Sequence, residues 1–458
     1  MKMRDVFDSI SAIDFRYWDK DVAAYLSENA FTRYKLLAEL ALVKTLFLWH
    51  MCPESVVQEV ATACEQVTTE EVYEEEDRIH HDIRALVNCI RKRVSDEAKP
   101  YVHMTATSYD IVDSANAARY KDVTEKVLVP ALTKLEGVLI DITLREAETV
   151  QVGRTHGQHA VPITVGFALA SYVSRLGNSI QALGALTKEL QGKFSGAVGA
   201  YNASSLFFDN PESFEESLLE NLDVIPAEHS TQVVPPESLT RLLAEVTIAA
   251  GVLANLADDM RHLQRTEIGE VGEEFEADQV GSSTMPQKRN PINFENAKSC
   301  WKIVMPRILT VFMDQISEHQ RDLTNSASAR TYGEMIAYVV STAKRLTRTM
   351  RKLRVDHVNL ERNLAMQQGL VVAEPLYIIL AALGHPDAHE KVRALTLQAQ
   401  REQRSLEEVL AADTELQAYL EKMKPLQRKI LSSPSLYTGI AAQKAKSVAA
   451  RWKTNLKL

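Results

Sequence analysis

The 458-residue sequence predicts an all-α protein organised around a bundle of long helices. Three observations carry that prediction. Apolar residues recur at three- and four-residue spacing over long stretches, the period of an amphipathic helix. Few glycines interrupt those stretches. Nowhere does the repeated apolar–polar alternation of strands appear, so nothing favours a parallel sheet.

In chain order, the first long run is Val127, Leu128, Leu132, Leu135, Val138, Leu139 and Ile142. A second follows Pro162 through Val165, Leu169, Val173, Leu176 and Ile180. The third, from Pro236 to Gln264, places Leu239, Leu242, Leu243, Val246, Ala249, Ala250, Leu253, Leu256 and Met260 on one stripe. Each run lasts about four turns or more, and neighbouring helices of a bundle can cover such stripes. At Asp356-His357 a polar-then-apolar pattern begins afresh. No internal repeat, low-complexity tract or long Gly/Ser linker stands out.

Composition narrows the function classes. The formal net charge is -9, against the basic excess of a general nucleic-acid binder. A few clefted arginines can still set a local potential for a small anion. The basic residues near the end, Lys444, Lys446, Arg451, Lys453 and Lys457, read as a solvated helix face. No uninterrupted apolar stretch approaches the ~18 residues of a membrane span. The N-terminus carries Asp5 and Asp8 instead of a basic-then-apolar leader, so the expected compartment is the cytoplasm. Cys52, Cys64, Cys89 and Cys300 lack close-paired ligand spacing and read as reduced thiols. The histidines form no HExxH-like array, and there is no Walker or dinucleotide loop. No metal and no cofactor are expected.

The most specific stretch is Gly281-Ser282-Ser283-Thr284-Met285-Pro286-Gln287-Lys288-Arg289-Asn290-Pro291. It gathers hydroxyls, cations and amides behind one glycine, and Pro291 suits a helix start. Such a loop fits closure over an anionic substrate. Its string resembles the signature of the fumarase/aspartase superfamily, whose members mostly eliminate fumarate from succinyl-type substrates. Gly153-Arg154-Thr155-His156-Gly157-Gln158-His159 resembles the general-acid segment of that superfamily. Thr107-Ser108-Tyr109-Asp110, followed by Asp113-Ser114-Ala115-Asn116, resembles its first carboxylate-binding segment. Arg261 to Glu267, Lys193 to Gly199 and Ser230 to Pro235 resemble runs of the adenylosuccinate lyase branch.

The resemblance implies a three-domain lyase, with an N-terminal helical domain over 1–109, a long-helix bundle over 110–355 and a C-terminal helical domain over 356–458. It also implies a homotetramer in which segments of different subunits build each active site. The implied partner is a small nucleotide, with no membrane. The expected reaction is β-elimination of fumarate from adenylosuccinate to give AMP, and also from the succinylated imidazole carboxamide ribotide.

Residue roles follow from the same resemblance. A proton leaves the carbon beside a carboxylate and an amine is expelled from its neighbour, which requires a base, support for the developing charge and an acid. Ser282 is the candidate base, with Ser283 the alternative if the register differs. Lys288 supplies positive charge and Asn290 a donor to the carboxylate. His156 is the candidate acid, because imidazole titrates near neutrality, and Thr155 contacts the substrate carboxylate beside it. His81, followed by Asp82, assists the acid or binds substrate. Thr107 and Ser108 bind carboxylate, and Gln232 contacts the succinyl group. At the nucleotide end stand Arg16, Tyr17, His103, Arg321, Ser326 and Arg330, the arginines offering planar forks to phosphate oxygens.

Several positions depart from the branch pattern: Phe15, Thr105, Pro236, Glu237, Gln287 and Gln320. They fall near recognition segments and leave the elimination residues in place. The competing expectations are another superfamily lyase, of argininosuccinate lyase or carboxymuconate cycloisomerase type, and a catalytically silent helical assembly protein. The paired arginine sets disfavour the first, and the presence of Ser282, Lys288 and His156 disfavours the second.

Overall fold

The computed structural model describes residues 9–274, 284–285 and 287–458. Among these the chain is overwhelmingly helical, as the apolar spacing predicts. The first run becomes the helix Val129–Arg145, continuous through a π-turn at Thr124–Leu128 with Ser108–Val123. The second becomes Val165–Leu186, the third Glu237–Leu263, and two further long helices follow at Ile292–Met313 and Tyr332–Arg351. In Glu237–Leu263, Leu242, Leu243, Val246, Ala249 and Leu253 are wholly buried. This is the one described helix long and apolar enough to cross a membrane, and its stripe is instead consumed by the protein core.

The chain divides into two compact units. The first comprises Met1–Leu132, Asn178–Leu253 and Ser299–Lys344; the second comprises Thr133–Gly177, Ala254–Lys298 and Arg345–Leu458.

In the first unit, Ser108–Val123 packs against Lys20–Leu26 and Glu28–Leu48. Helix starts are set by side chains that satisfy otherwise unpaired first-turn N–H groups. Asp19 accepts from Asp21 N at 3.0 Å, Ser27 from Ala30 N at 3.2 Å and Thr68 from Glu71 N at 3.3 Å. A two-residue parallel pairing joins Gln191–Gly192 to Ile225–Pro226.

In the second unit, an apolar core containing Val371, Leu376, Leu380, Leu395, Leu406 and Leu416 gathers the C-terminal helices, and Val152 belongs to it. Asp356 caps His357–Ala365 through Asn359 N at 3.0 Å, which is why a new pattern begins there. A Cβ on Gly177 would stand 2.4 Å from the Trp452 ring, so only glycine admits that indole. The principal strands, β1 (Val150–Thr155) and β2 (Gln158–Thr164), form an antiparallel hairpin. Its β1 strand, Val150–Thr155, packs against His357–Ala365.

Candidate active site

In the first unit the site is built on the start of Ser108–Val123. Thr107 N donates to Asp110 Oδ2 at 2.7 Å, closing the first turn. Asp110 is in turn ion-paired to Lys193, both side chains being wholly buried. Lys193 Nζ also donates to Gly196 O at 3.0 Å, and Gly196 N to Asp110 Oδ1 at 3.2 Å. A buried ammonium is tolerable only with such pairing, so this knot fixes the helix start that presents Thr107 and Ser108.

One residue on, Tyr109 captures Arg321. The guanidinium carbon lies 3.5 Å from the ring centroid, and Nη2 donates to the hydroxyl at 2.5 Å. Ring face and hydroxyl together orient the arginine fork. The phenol's pKa is raised by burial, opposed by Arg321 and aided by the nearby Asp113 and Asp82. Arg321 is thereby joined to the same helix start as Ser108.

His103 stands in the left-handed backbone region, φ 64, a conformation in which histidine is enriched. Its Nδ1 lies 2.7 Å from Oε1 of the wholly buried Glu39. Burial opposes protonation of the ring, but the charge and hydrogen bond of Glu39 prevail and raise its pKa. With Nδ1 engaged, Nε2 is the nitrogen left to meet a ligand.

His81 is the N-cap of Asp82–Arg91, its Nδ1 accepting from Arg84 N at 3.2 Å. That bond makes Nδ1 the unprotonated nitrogen of the neutral ring and places the proton on Nε2. Asp82 Oδ1 is 3.7 Å from Nδ1 and instead accepts from Ile83 N at 2.7 Å.

The remaining candidates are more loosely placed. Arg330 reaches Glu28 at 3.7 Å and is largely exposed. The Tyr17 ring tilts against Tyr338 at 5.3 Å, while Arg16 is exposed. Arg16, Gln232 and Ser326 make no side-chain hydrogen bond or ion pair among the described residues.

In the second unit, Thr155-His156-Gly157-Gln158 is a two-residue hairpin turn, with Thr155 paired to Gln158. Both central residues have positive φ, 54 at His156 and 74 at Gly157, the requirement of the primed turns whose twist matches that of the strands. His156 is therefore held at an exposed tip, beside the exposed Thr155. The hairpin is tied down behind it. Arg154 grips Glu270 bidentately at 2.6 and 3.0 Å, and Gln151 and Asn363 donate to the same carboxylate at 2.7 and 2.8 Å. Burial raises the Glu270 pKa, but these four donors outweigh it, so the group is held below the usual value. His159, on β2, has its pKa lowered by burial and by Arg154.

The signature loop ends on a second knot. Gln264 accepts from Glu273 N at 3.1 Å and donates to Arg289 O at 3.2 Å. Glu273 accepts from Asn293 N at 3.0 Å and Phe294 N at 3.2 Å, capping Ile292–Met313. Pro291 takes the N-cap position, its carbonyl accepting from Glu295 N at 2.9 Å. Lys288 is exposed and Asn290 partly buried. Ser282 and Ser283 lie outside the described residues.

Among the departures, Thr105 has φ 64, in the left-handed region that glycine adopts most readily, and its buried hydroxyl has no partner among the described residues. Gln320 Oε1 is likewise buried without a partner among the described residues. The supporting residues that sequence reasoning missed are Glu39, Glu270, Glu273 and Gln264. Glu270 is 116 residues from Arg154, and no local spacing signals such a pair.

Comparison with known proteins bears on the whole chain. A family model described as lyase matches residues 2–305, and one described as adenylosuccinate lyase C-terminal matches 317–429. The chain is 34% identical over 429 residues to an adenylosuccinate lyase of Pyrococcus abyssi, covering 91% of this chain and 94% of that protein. It is 33% identical over 447 residues to one of Archaeoglobus fulgidus, covering 97% and 98%. A solved 3-carboxy-cis,cis-muconate lactonizing enzyme from Pseudomonas putida superposes with a TM-score of 0.85 at 27% identity, covering 98% of this chain and all of that one.

Proposed function

Because this chain belongs to the adenylosuccinate lyase family, within the fumarase/aspartase superfamily, we propose that it cleaves adenylosuccinate to AMP and fumarate as a carbon–nitrogen lyase. We extend the proposal to the succinylated imidazole carboxamide ribotide, and so to purine biosynthesis. The whole-length match carries the reading.

In this reading Ser282 takes the proton from the carbon next to the succinyl carboxylate. Lys288 and Asn290 stabilise the charge that spreads into that carboxylate, where fixed donors act most strongly. Thr107, Ser108 and Thr155 hold carboxylate oxygens, the first two at a helix start where N–H groups favour anions. His156 gives a proton to the departing nitrogen as the carbon–nitrogen bond breaks. His81 supports the transfer through Nε2. Gln232 steadies the succinyl arm. Arg16, Tyr17, His103, Arg321, Ser326 and Arg330 receive the nucleotide phosphate.

We also propose a cytoplasmic homotetramer with shared active sites and the functional domain limits 1–109, 110–355 and 356–458. The exposed Met305, Leu309, Phe312 and Met313, which recur at helical spacing on one face of Ile292–Met313, support association, since contiguous exposed apolar patches mark interaction surfaces. The four cysteines are free, which suits a reducing compartment.

Incubation with adenylosuccinate, followed by ultraviolet absorbance, is expected to release stoichiometric fumarate and AMP; silence at micromolar enzyme would overturn the assignment. Ser282→Ala is expected to lower turnover by about 100-fold or more, the usual scale for a lost general base, with the melting temperature unchanged. Undiminished turnover removes Ser282 from that role.

A further inference from the structure

Gln232 makes no side-chain hydrogen bond among the described residues, yet the segment presenting it is pinned on both flanks. Upstream, Ser230 Oγ lies 2.6 Å from Ser195 Oγ. Gly199 sits so near that a Cβ there would stand 2.0 Å from Ser230 O. Downstream, Val234 N donates to Asp113 Oδ2 at 2.9 Å. Between these anchors Thr231 N donates to Val233 O at 3.0 Å, turning the chain tightly around Gln232. The upstream anchors are a buried pair of serine hydroxyls and the close approach of loop backbone at Gly199. The downstream anchor is one carboxylate.

That carboxylate belongs to the helix Ser108–Val123, which also starts with the proposed substrate contacts. Asp113 is four residues after Tyr109 and so lies on the same helix face, the face on which Tyr109 holds Arg321. It is the point at which the Gln232 segment is fastened to the substrate-binding helix.

We propose that Asp113 is a positioning residue for the succinyl end of the substrate, acting through Val234 N–H to fix the aim of Gln232. The proposal rests on the functional reading above and assigns Asp113 no contact with the reacting atoms.

The groups facing this carboxyl give it a second property. Burial raises its pKa, opposed by Val234 N–H, Lys193 and Arg321 and reinforced by Asp110, to about 7; Tyr109 is the neighbouring phenol. A carboxylate accepts an N–H bond more strongly than a carboxylic acid does. The grip on the segment therefore tightens as pH rises through neutrality, and KM for adenylosuccinate falls with it.

Five proteins test this: wild type, Asp113→Asn, Asp113→Leu, Gln232→Ala and the Asp113→Leu/Gln232→Ala double variant. Asparagine keeps an oxygen for Val234 N–H without the charge, and leucine removes it at similar volume. Asp113→Leu is expected to raise KM roughly tenfold, the scale of one lost hydrogen bond. Asp113→Asn should stay within about threefold and lose the pH dependence of KM near 7. If Asp113 acts through Gln232, the double variant is no worse than Gln232→Ala, because the penalty is shared. Additive penalties, or wild-type KM in Asp113→Leu, overturn the proposal.

Amide exchange at Val234 gives a readout that needs no turnover: protection kept in the asparagine variant and lost in the leucine variant is expected. Equal exchange in both refutes the role even in folded, active protein. Absence of fumarate release from wild type would instead refute the functional reading while leaving this exchange result standing.

Discussion

Glu270 and Glu136 are both wholly buried in the second unit, and the structure treats them in opposite ways. Glu270 receives donors from Arg154, Gln151 and Asn363, and its pKa is held below the usual carboxylate value despite burial. Glu136, in the helix Val129–Arg145, has no partner on either oxygen among the described residues. Burial alone pushes its pKa up to about 9. One group is therefore an anion at neutral pH and the other an uncharged acid. Removal from water does not decide ionisation; the donors that replace the water do. The saturated carboxylate lies behind the hairpin that presents His156, where a fixed backbone is needed. The unsaturated one lies in the interior of a long helix, with none of the proposed site residues nearby in sequence.

The largest effect expected from this contrast follows Arg154→Leu. Removing one partner from a buried pair leaves an uncompensated charge and costs about 3–5 kcal/mol. The pH dependence should also reverse. In wild type the lowered pKa of Glu270 gives stability that is present above its unfolded value of about 4.5 and lost as pH falls through the lower folded value. Without Arg154, burial dominates and Glu270 takes up a proton on folding. The variant should then be penalised more at pH 8 than at pH 5. Thermal unfolding at both values tests this, and an equal loss at both would mean that Arg154 does not hold the charge. Turnover should fall as well, because the hairpin that aims His156 loosens.

Replacing Glu136 sharpens the contrast from the other side. Its raised folded pKa means that folding binds a proton from pH 4.5 upward, so stability drains away as pH rises toward about 9. At pH 7 the drain is on the order of 3 kcal/mol. Glu136→Met keeps the volume and removes the acid. It should stabilise the protein by about that amount at pH 7, with the gain shrinking toward pH 4.5. A gain independent of pH would show that Glu136 takes up no proton on folding.

These carboxylates also mark where the sequence was legible. The long helices follow from apolar spacing alone, because a buried stripe must repeat with the helical period. Glu136 lay in plain view on that stripe, four residues after Leu132 and three before Leu139, both wholly buried. A charged residue at an apolar position was the available signal. The hairpin was not legible by alternation, because Gln151, Val152 and Gly153 of β1 are buried consecutively. The His156-Gly157 pair, between a Thr and a Gln that face each other, was its only local mark. Arg154–Glu270 and His103–Glu39 could not be read at all, since tertiary packing brings their partners together from 116 and 64 residues away. Motif strings located the candidate chemistry and left the groups that support it unnamed.

Glu39 is the intermediate case and gives the smallest expected effect. It is wholly buried, with Oε1 paired to His103 and Oε2 without a partner among the described residues. Here the partner itself titrates. The His103 pKa is raised, so its ion pair contributes stability fully below the unfolded value of about 6.5 and loses it as pH rises through the folded value. His103→Asn separates charge from geometry. Asparagine tolerates the left-handed backbone, and its side-chain amide occupies the place of Nδ1, so a neutral hydrogen bond to Glu39 survives. The variant should be less stable by about 1 kcal/mol at pH 6, the difference between a charged and a neutral donor. The gap should narrow toward pH 9, as pH rises through the raised folded value and the imidazole gives up its proton. The same substitution deletes Nε2, so KM for the nucleotide should rise at both values. A stability loss that persists unchanged at pH 9 would place His103 with Arg154, as a partner whose shape rather than whose proton holds the buried acid.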